Sequence, residues 1–310
     1  MRLLKCNVVA IDYLKKKAHR STIMNQTVKN ESDTRPLLVT GANGYTGARI
    51  LADLRADPRF SHLSIIGTYR SAQQLDATEF LDLADTASIT TLCKRLNPQW
   101  IIHIAALPNQ AQCNAHQDSA EIINVASVQA LAAYAKDHYA HLLFLSSEAA
   151  LDDSYYGKLK ADAEIAVRSS GCSYVILQPA MIFGKSPNTT NDRPHNRLLR
   201  IAEQGSGSLD RDLSIFVTSI THLSEVIREV ITRPILNETI PVLTAHATTR
   251  YDLGSAVFTG TSIQLTPQNL GVCKGPPALN ESLLIELNLP QRRYDEVVEE
   301  VRAAVLRPYS

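Results

Sequence analysis

The sequence predicts an α/β protein built on a doubly wound parallel sheet, with a smaller, interleaved C-terminal part. Three observations predict it. Short apolar runs alternate with amphipathic segments from Pro36 to about residue 185. The runs are continuously apolar, as strands covered on both faces are. A glycine-spaced turn joins the first run to the first amphipathic segment. In chain order, "LLVT" (37–40) reads as a buried strand, 45–56 as a helix, and "LSIIGTY" (63–69) as the second strand. "TEFLDL" (78–83) is a third, weaker strand, "ITTLCKRL" (89–96) a helix and "WIIHIAA" (100–106) the fourth strand. An Ala-rich helix spans 119–137, "HLLFLSS" (141–147) is a strand, 155–169 a helix and "SYVILQPAMIF" (173–183) a strand. After Gly184 the rhythm changes: a polar loop, the helix "RLLRIAEQ", the strand "LSIFVTS", the helix "THLSEVIREVIT", a mixed stretch from "IPVLTA" (240–245), and a last helix at 295–306. The expected division is an extension at 1–35, a dinucleotide-binding part at 36–185, and a substrate-binding part at 186–310 partly interleaved with the first sheet.

Composition narrows the class. Lys plus Arg and Asp plus Glu both number 31, so the net charge is zero and no basic or aromatic stripe points to a nucleic acid. No apolar run is long enough for a membrane-spanning helix. Cys6, Cys93, Cys113, Cys172 and Cys273 are scattered without paired spacing, which reads as reduced thiols of a cytoplasmic protein and predicts no metal site. Residues 1–35 are basic and then polar; Lys5 and Asp12 spoil a signal peptide, and Met24 is an alternative first residue.

The turn "VTGANGYTGARI" spaces Gly41, Gly44 and Gly47 three apart. Gly41 permits the tight turn, Gly44 lets backbone approach a pyrophosphate over the helix N-terminus, and Gly47 lets helix and strand pack closely. A plain helix-start turn leaves three regular glycines unexplained, so a dinucleotide is expected. The second strand ends in "GTYRS", with Arg70 and Ser71 where a carboxylate would favour a free ribose. A guanidinium binds a 2′-phosphate bidentately, so NADP(H) is expected over NAD. Asp82, at the end of the third strand, could accept from the adenine amino group.

Tyr156 and Lys160 stand four apart in "YYGKLK", on one helix face, whereas Tyr155 pairs with Leu159. A phenol titrates near 10, so proton exchange at neutral pH asks for a drop of about three units, roughly 4 kcal/mol. One ammonium at about 4 Å supplies roughly that at an effective dielectric near 20. Tyr156 is the expected general acid. Lys160 would lower its pKa and hold the nicotinamide ribose. Ser147 ends the preceding strand, at the edge where open α/β sheets bind ligands, and would orient a substrate carbonyl. Glu148 is read as a second acid or a substrate contact, and His103, inside a strand, as a packed residue. The plainer reading of the same segment is an amphipathic helix with an interfacial tyrosine.

With glycine loop, strand-end serine and YxxxK in this order, the chain resembles the extended short-chain dehydrogenase/reductases, and among them the dTDP-4-dehydrorhamnose reductase group. "TGANGYTG" is similar to that group's cofactor loop, "LDLADTASI" to its third strand, "PQWIIHIAAL" to its fourth, "INVASVQALA" to the following helix, "SSE" to its Ser-Thr-Asp segment and "VILQPAMIFG" to its sixth strand. The resemblance implies a Rossmann domain whose cofactor contacts include Asn43, Tyr45, Leu83, Ala105, Ala106, Lys160 and Pro179, and substrate contacts from Glu148, Asn124 and Lys274. It also implies a homodimer through the 119–137 and 155–169 helices. Gln178 stands where arginine is usual, and Gly275 and Asn280 replace the usual Arg and Asp of the C-terminal signature. Only nine positions separate Ser147 from Tyr156, where the family has a much longer connection; nine residues still span up to roughly 30 Å, so the triad can assemble. The expected protein is an NADP(H)-dependent oxidoreductase that reduces a carbonyl, with a 4-keto nucleotide sugar as leading substrate class. The alternatives are a nucleotide-sugar epimerase or dehydratase with tightly held NAD(P), and a non-catalytic NADP-binding regulatory subunit.

Overall fold

A computed structural model of the chain describes residues 33–70, 76–108, 110–189, 193–269 and 282–307. Apart from Asp33 and Thr34, these belong to one compact unit, Arg35–Ser310. The extension at 1–35 therefore lies almost wholly outside the described residues.

The first half runs β1 (Leu37–Thr40), α1 (Tyr45–Ala56), β2 (Ile65–Tyr69), β3 (Glu79–Phe80), α2 (Thr86–Leu96), β4 (Trp100–His103), α3 (Gln110–Ala115), α4 (Gln117–Glu121), α5 (Ser127–Asp137), β5 (His141–Leu145), α6 (Tyr155–Ser169) and β6 (Ser173–Pro179). The second half adds β7 (Met181–Phe183), α7 (Pro194–Gln204), β8 (Ser206–Asp210), β9 (Ser214–Ile215), β10 (Val217–Ser219), α8 (Ile220–Thr232), β11 (Glu238–Val242), β12 (Thr248–Thr249), α9 (Arg250–Val257), β13 (Gln264–Gln268), α10 (Ser282–Glu286) and α11 (Tyr294–Leu306). Seven strands form one parallel sheet in the order β11-β6-β5-β4-β1-β2-β3.

The continuous apolar runs are explained by cover on both faces. Leu37 and Val39 pack with Ile50, Leu54, Val226 and Val230 of α1 and α8, while Leu38 between them packs with Leu92, Leu131, Ala163 and Val167 of α2, α5 and α6. The alternation of side-chain direction along a strand demands this, and each fully buried Leu or Ile contributes about 1.5–3 kcal/mol. A third apolar cluster, with Phe183, Leu198, Ile201, Val217, Leu253, Val297 and Val301, is the core of the second half.

Several elements differ from the sequence reading, among them the strand at 213–219, which splits into β9 and β10. Of the third strand only Glu79 and Phe80 pair. The 119–137 helix contains a π-helical turn at Ile122–Ala126, a wider coil that often marks a functional position. The 173–183 strand breaks at Ala180, whose N–H donates to the Thr218 hydroxyl at 2.8 Å. Beyond that break, β7 leaves the main sheet and pairs with β10. The second half returns to the main sheet through β11, which lies beside β6.

Candidate active site

At the carboxyl ends of β1, β2, β4, β5 and β6 the structure opens into a cleft of about 750 Å³. Its floor is the glycine loop. Gly41 sits at φ +69°, and a Cβ there would lie 2.8 Å from the Ala105 Cα. A Cβ on Gly47 would fall inside contact distance of the Gly41 carbonyl oxygen. Gly44 is the N-cap of α1 and supplies no side-chain cap, so among the described residues the first-turn N–H groups carry no side-chain acceptor. A helix start with a side-chain-free approach suits a pyrophosphate, and these residues fit an NADP(H) dinucleotide. Thr68 fixes the loop from β2: its carbonyl accepts from Ala42 N–H at 2.9 Å and its hydroxyl from Gly41 N–H at 3.2 Å.

The cleft brings together Gly41, Asn43, Gly44, Tyr45, Gly47, Arg70, Leu83, Ala105, Ala106, Ser147, Glu148, Tyr156, Lys160 and Pro179. Two sequence candidates are not brought there. Asn124, on the π-helical turn, is 2% exposed; its amide accepts from Leu107 N–H at 2.8 Å and donates to Leu107 O at 3.0 Å, pinning the backbone that walls the cleft. The Asp82 carboxylate accepts from Ala84 N–H at 3.0 Å and shapes a turn. Ser71 and Lys274 lie outside the described residues. His103 is buried, accepts or donates at the Thr40 hydroxyl at 2.8 Å, and is pushed down to about 3 by burial, as a packed histidine should be.

Tyr45 serves the fold as well as the cleft. Its hydroxyl donates to Gly184 O, and its backbone carbonyl accepts from the Ser186 hydroxyl. Asn188 donates to Asn43 O at 2.6 Å, and Arg49 to Lys185 O at 2.8 Å. The segment 184–188 is thus laced to the glycine loop.

Ser147 caps a one-turn 3₁₀ helix, Glu148–Leu151, and accepts from Ala149 N–H at 3.2 Å. That helix and Asp152–Ser154 make the whole link to α6, whose N-cap Ser154 accepts from Gly157 N–H. A Cβ on Gly157 would collide with Ala149 O and Asp152 Oδ1, so the short link lies directly on the start of α6. Glu148 lines the cleft with a shielded Oε2 that has no hydrogen-bond partner among the described residues. Burial, and then Asp152, push its carboxyl up to about 7.

Lys160 is 2% exposed. Its ammonium donates to Leu145 O at 3.0 Å and lies 4.8 Å from the Phe144 ring centre and 5.9 Å from that of Tyr156. Burial pulls it down to about 8. Burial also pushes the Tyr156 phenol well above its ordinary value, and the cation that opposes this is Arg193. This runs opposite to the drop expected from Lys160, because desolvation of the phenol dominates. Arg193 and Asp152, both lining the cleft, were missed by sequence reasoning. Arg193 caps α7 before Pro194, and nothing in the local sequence shows that it lines the same cleft as Tyr156.

A family model described as the RmlD substrate binding domain matches residues 35–270. The chain belongs to this family. Methionine adenosyltransferase 2 subunit beta of Xenopus laevis is 26% identical to this RmlD-type chain over 165 residues, 49% of the chain and 48% of the relative. The dTDP-4-dehydrorhamnose reductase of Aggregatibacter actinomycetemcomitans is 29% identical over 167 residues, 49% of the chain and 53% of the relative. The chain thus spans about half the length of the curated relatives it matches. Among solved structures, the dTDP-4-dehydrorhamnose reductase of Bacillus anthracis in complex with NADP superposes with a TM-score of 0.73 at 17% identity, covering 89% of this chain and 100% of that one. The UDP-glucose 4-epimerase of Thermus thermophilus, in complex with NAD, gives 0.72 at 15% identity, covering 87% and 99%. Both share the doubly wound fold, in line with the resemblance carried by the glycine loop and the Tyr/Lys helix.

Proposed function

We propose that this RmlD-type chain is an NADP(H)-dependent oxidoreductase that reduces a carbonyl, with a 4-keto nucleotide sugar as the leading substrate class. The observation that carries this reading is one cleft lined by the three-glycine loop, Arg70, Ser147, Tyr156 and Lys160. Bound NADPH supplies the hydride. Gly41, Gly44, Gly47 and the α1 N-terminus hold the pyrophosphate, with Asn43, Tyr45, Leu83, Ala105, Ala106 and Pro179 lining the dinucleotide. Arg70 at the end of β2 receives the 2′-phosphate. Ser147 orients the carbonyl oxygen, and Tyr156 gives it the phenolic proton. Burial pushes that phenol up and so opposes proton donation, which makes Tyr156 depend on the opposing cation Arg193 and on Lys160 beside it. Lys160 holds the ribose and keeps a cation beside Tyr156, and Glu148 contacts the substrate.

The test is Tyr156→Phe. NADPH binding, followed by fluorescence, should stay within about threefold, while turnover on a carbonyl panel containing 4-keto nucleotide sugars should fall by roughly 10²-fold or more. Wild-type protein that oxidises NADPH with no member of the panel would sink the reading.

A second reading, a non-catalytic NADP-binding regulatory subunit, is favoured by the methionine adenosyltransferase 2 subunit beta relatives and by the shortened Ser147–Tyr156 link. Under it, Tyr156→Phe changes nothing in the activity of a catalytic partner. The epimerase or dehydratase alternative predicts dinucleotide that survives gel filtration. The homodimer through α4, α5 and α6 is part of the first proposal; a purely monomeric mass in light scattering would count against it.

A further inference from the structure

Behind Lys160, away from the cleft, lies a buried carboxylate that the proposed reaction does not use. Glu164 is 3% exposed, one helical turn beyond Lys160 and on the same face of α6. Three groups hold it. Its Oε1 accepts from the Ser146 hydroxyl at 2.5 Å and from Gln178 Nε2 of β6 at 2.8 Å, and its Oε2 accepts from Arg168 Nη2 at 2.5 Å. Ser146 lines the cleft and follows Leu145, whose carbonyl anchors the Lys160 ammonium. Two adjacent residues at the end of β5 therefore hold the carboxylate and the ammonium apart, each on its own acceptor or donor. Gln178 of β6 offers the carboxylate a neutral amide rather than a second charge. Among the described residues, the cation that touches the carboxylate is Arg168, 40% exposed, which also donates to Thr239 of β11 at 3.3 Å.

We propose that Glu164 is the positioning residue that keeps Lys160 in its ammonium form, and that Gln178 preserves this by fixing the carboxylate without neutralising it. The effect is electrostatic. Burial disfavours the ammonium, and few of the described groups face it. On its own helix they are Tyr156 and Glu164, from β4 His103, from β5 the Phe144 ring and Leu145 O, and from α3 Cys113. His103 is neutral over the working range and Cys113 is a buried thiol, so neither offers a lasting negative charge. The Glu164 carboxylate, held by three donors on the same face of α6, pulls Lys160 upward against burial. A carboxylate in a low-dielectric interior acts over more than contact distance, so no direct ion pair is needed. This deepens the reductase reading, which rests on a charged Lys160 beside the ribose and Tyr156.

The experiment titrates Lys160 directly, in the full chain without nucleotide. Protein labelled with ¹³C at the lysine Cε is followed by NMR from pH 6 to 11, and the Lys160 signal is identified by its absence in Lys160→Met. Glu164→Gln should lower the Lys160 pKa by about one to three units. Arg168→Gln removes the partly exposed cation and should move it in the opposite direction. Gln178→Arg brings a cation against the carboxylate and should lower it again. A purely structural role would lower the melting temperature of these variants and leave the Lys160 titration where it is, which overturns the proposal. So does a shift of the same sign in Glu164→Gln and Arg168→Gln. Arg168 is peripheral, so its variant reads the effect even where Glu164→Gln fails to fold. NADPH binding by the wild type reports separately on the reductase reading.

Discussion

Glu148 and Asp152 show how a nine-residue link changes the chemistry of single side chains. The link turns immediately after Ser147, so Glu148 is carried into the cleft wall with one oxygen shielded and unpartnered among the described residues. Its carboxyl sits at about 7 rather than the ordinary 4.5, so ionising it costs the folded state more than the unfolded one. The stabilising protonated form is complete below about pH 4.5 and is lost as pH rises through 7. Glu148→Gln should therefore match the wild type near pH 4.5 and exceed it by about 3 kcal/mol at pH 8 in urea unfolding. Equal stability at both pH values would show that the carboxyl is hydrated. That Tyr156 and Lys160 share a face beside Ser147 was legible from their order and spacing, since a helix puts i and i+4 on one face, and the three line one cleft. Asn124 was singled out too, but its amide is spent on Leu107, a long-range pairing that no local pattern announces. The direction of the Tyr156 shift was not legible either, because it depends on how deeply the hydroxyl is covered.

At the scale of elements, strands and helices of the first half followed from the pattern: the sequence bounds of α1 and α6 coincide with those observed. Both have a strong start, Gly44 in one and the Ser154 cap in the other. The weaker reading of β3 held for only two residues at the edge of the sheet, whereas β11 at the other edge pairs over five. Two glycines carry testable consequences. Gly47→Ala puts a methyl into the Gly41 carbonyl, so the loop must shift; NADPH affinity in fluorescence titration should fall at least tenfold while the circular dichroism spectrum is kept. Gly157→Ala pushes against Ala149 O and Asp152 instead. It should displace the Ser147–Glu148 segment, reducing kcat for carbonyl reduction by roughly 10²-fold with NADPH binding unchanged. Unaltered kcat would mean the link does not set the geometry of the triad.

The whole molecule is held by ties that sequence order hides. Asp57, 7% exposed, accepts from Arg59 beside it and from Arg228 of α8 at 3.0 Å, joining the end of α1 to the second half. The Arg59 guanidinium above all holds its carboxyl far below the usual carboxylate range. That stabilisation is present above the ordinary value near 3.8 and is lost as pH falls below it. Asp57→Asn should cost about 2–3 kcal/mol at pH 7, and the gap to wild type should close on acidification below pH 4, read by urea unfolding. The rhythm changes after Gly184, but the return of β11 to the sheet and the lacing of 184–188 onto the glycine loop needed the chain path. On the proposed reading, the strap that begins the second half hangs from the residues that would receive the dinucleotide, so cofactor and substrate would share a wall, and at equilibrium any change that one makes in the other's affinity is returned by the same factor. Such coupling would run through the five residues from Gly184 to Asn188.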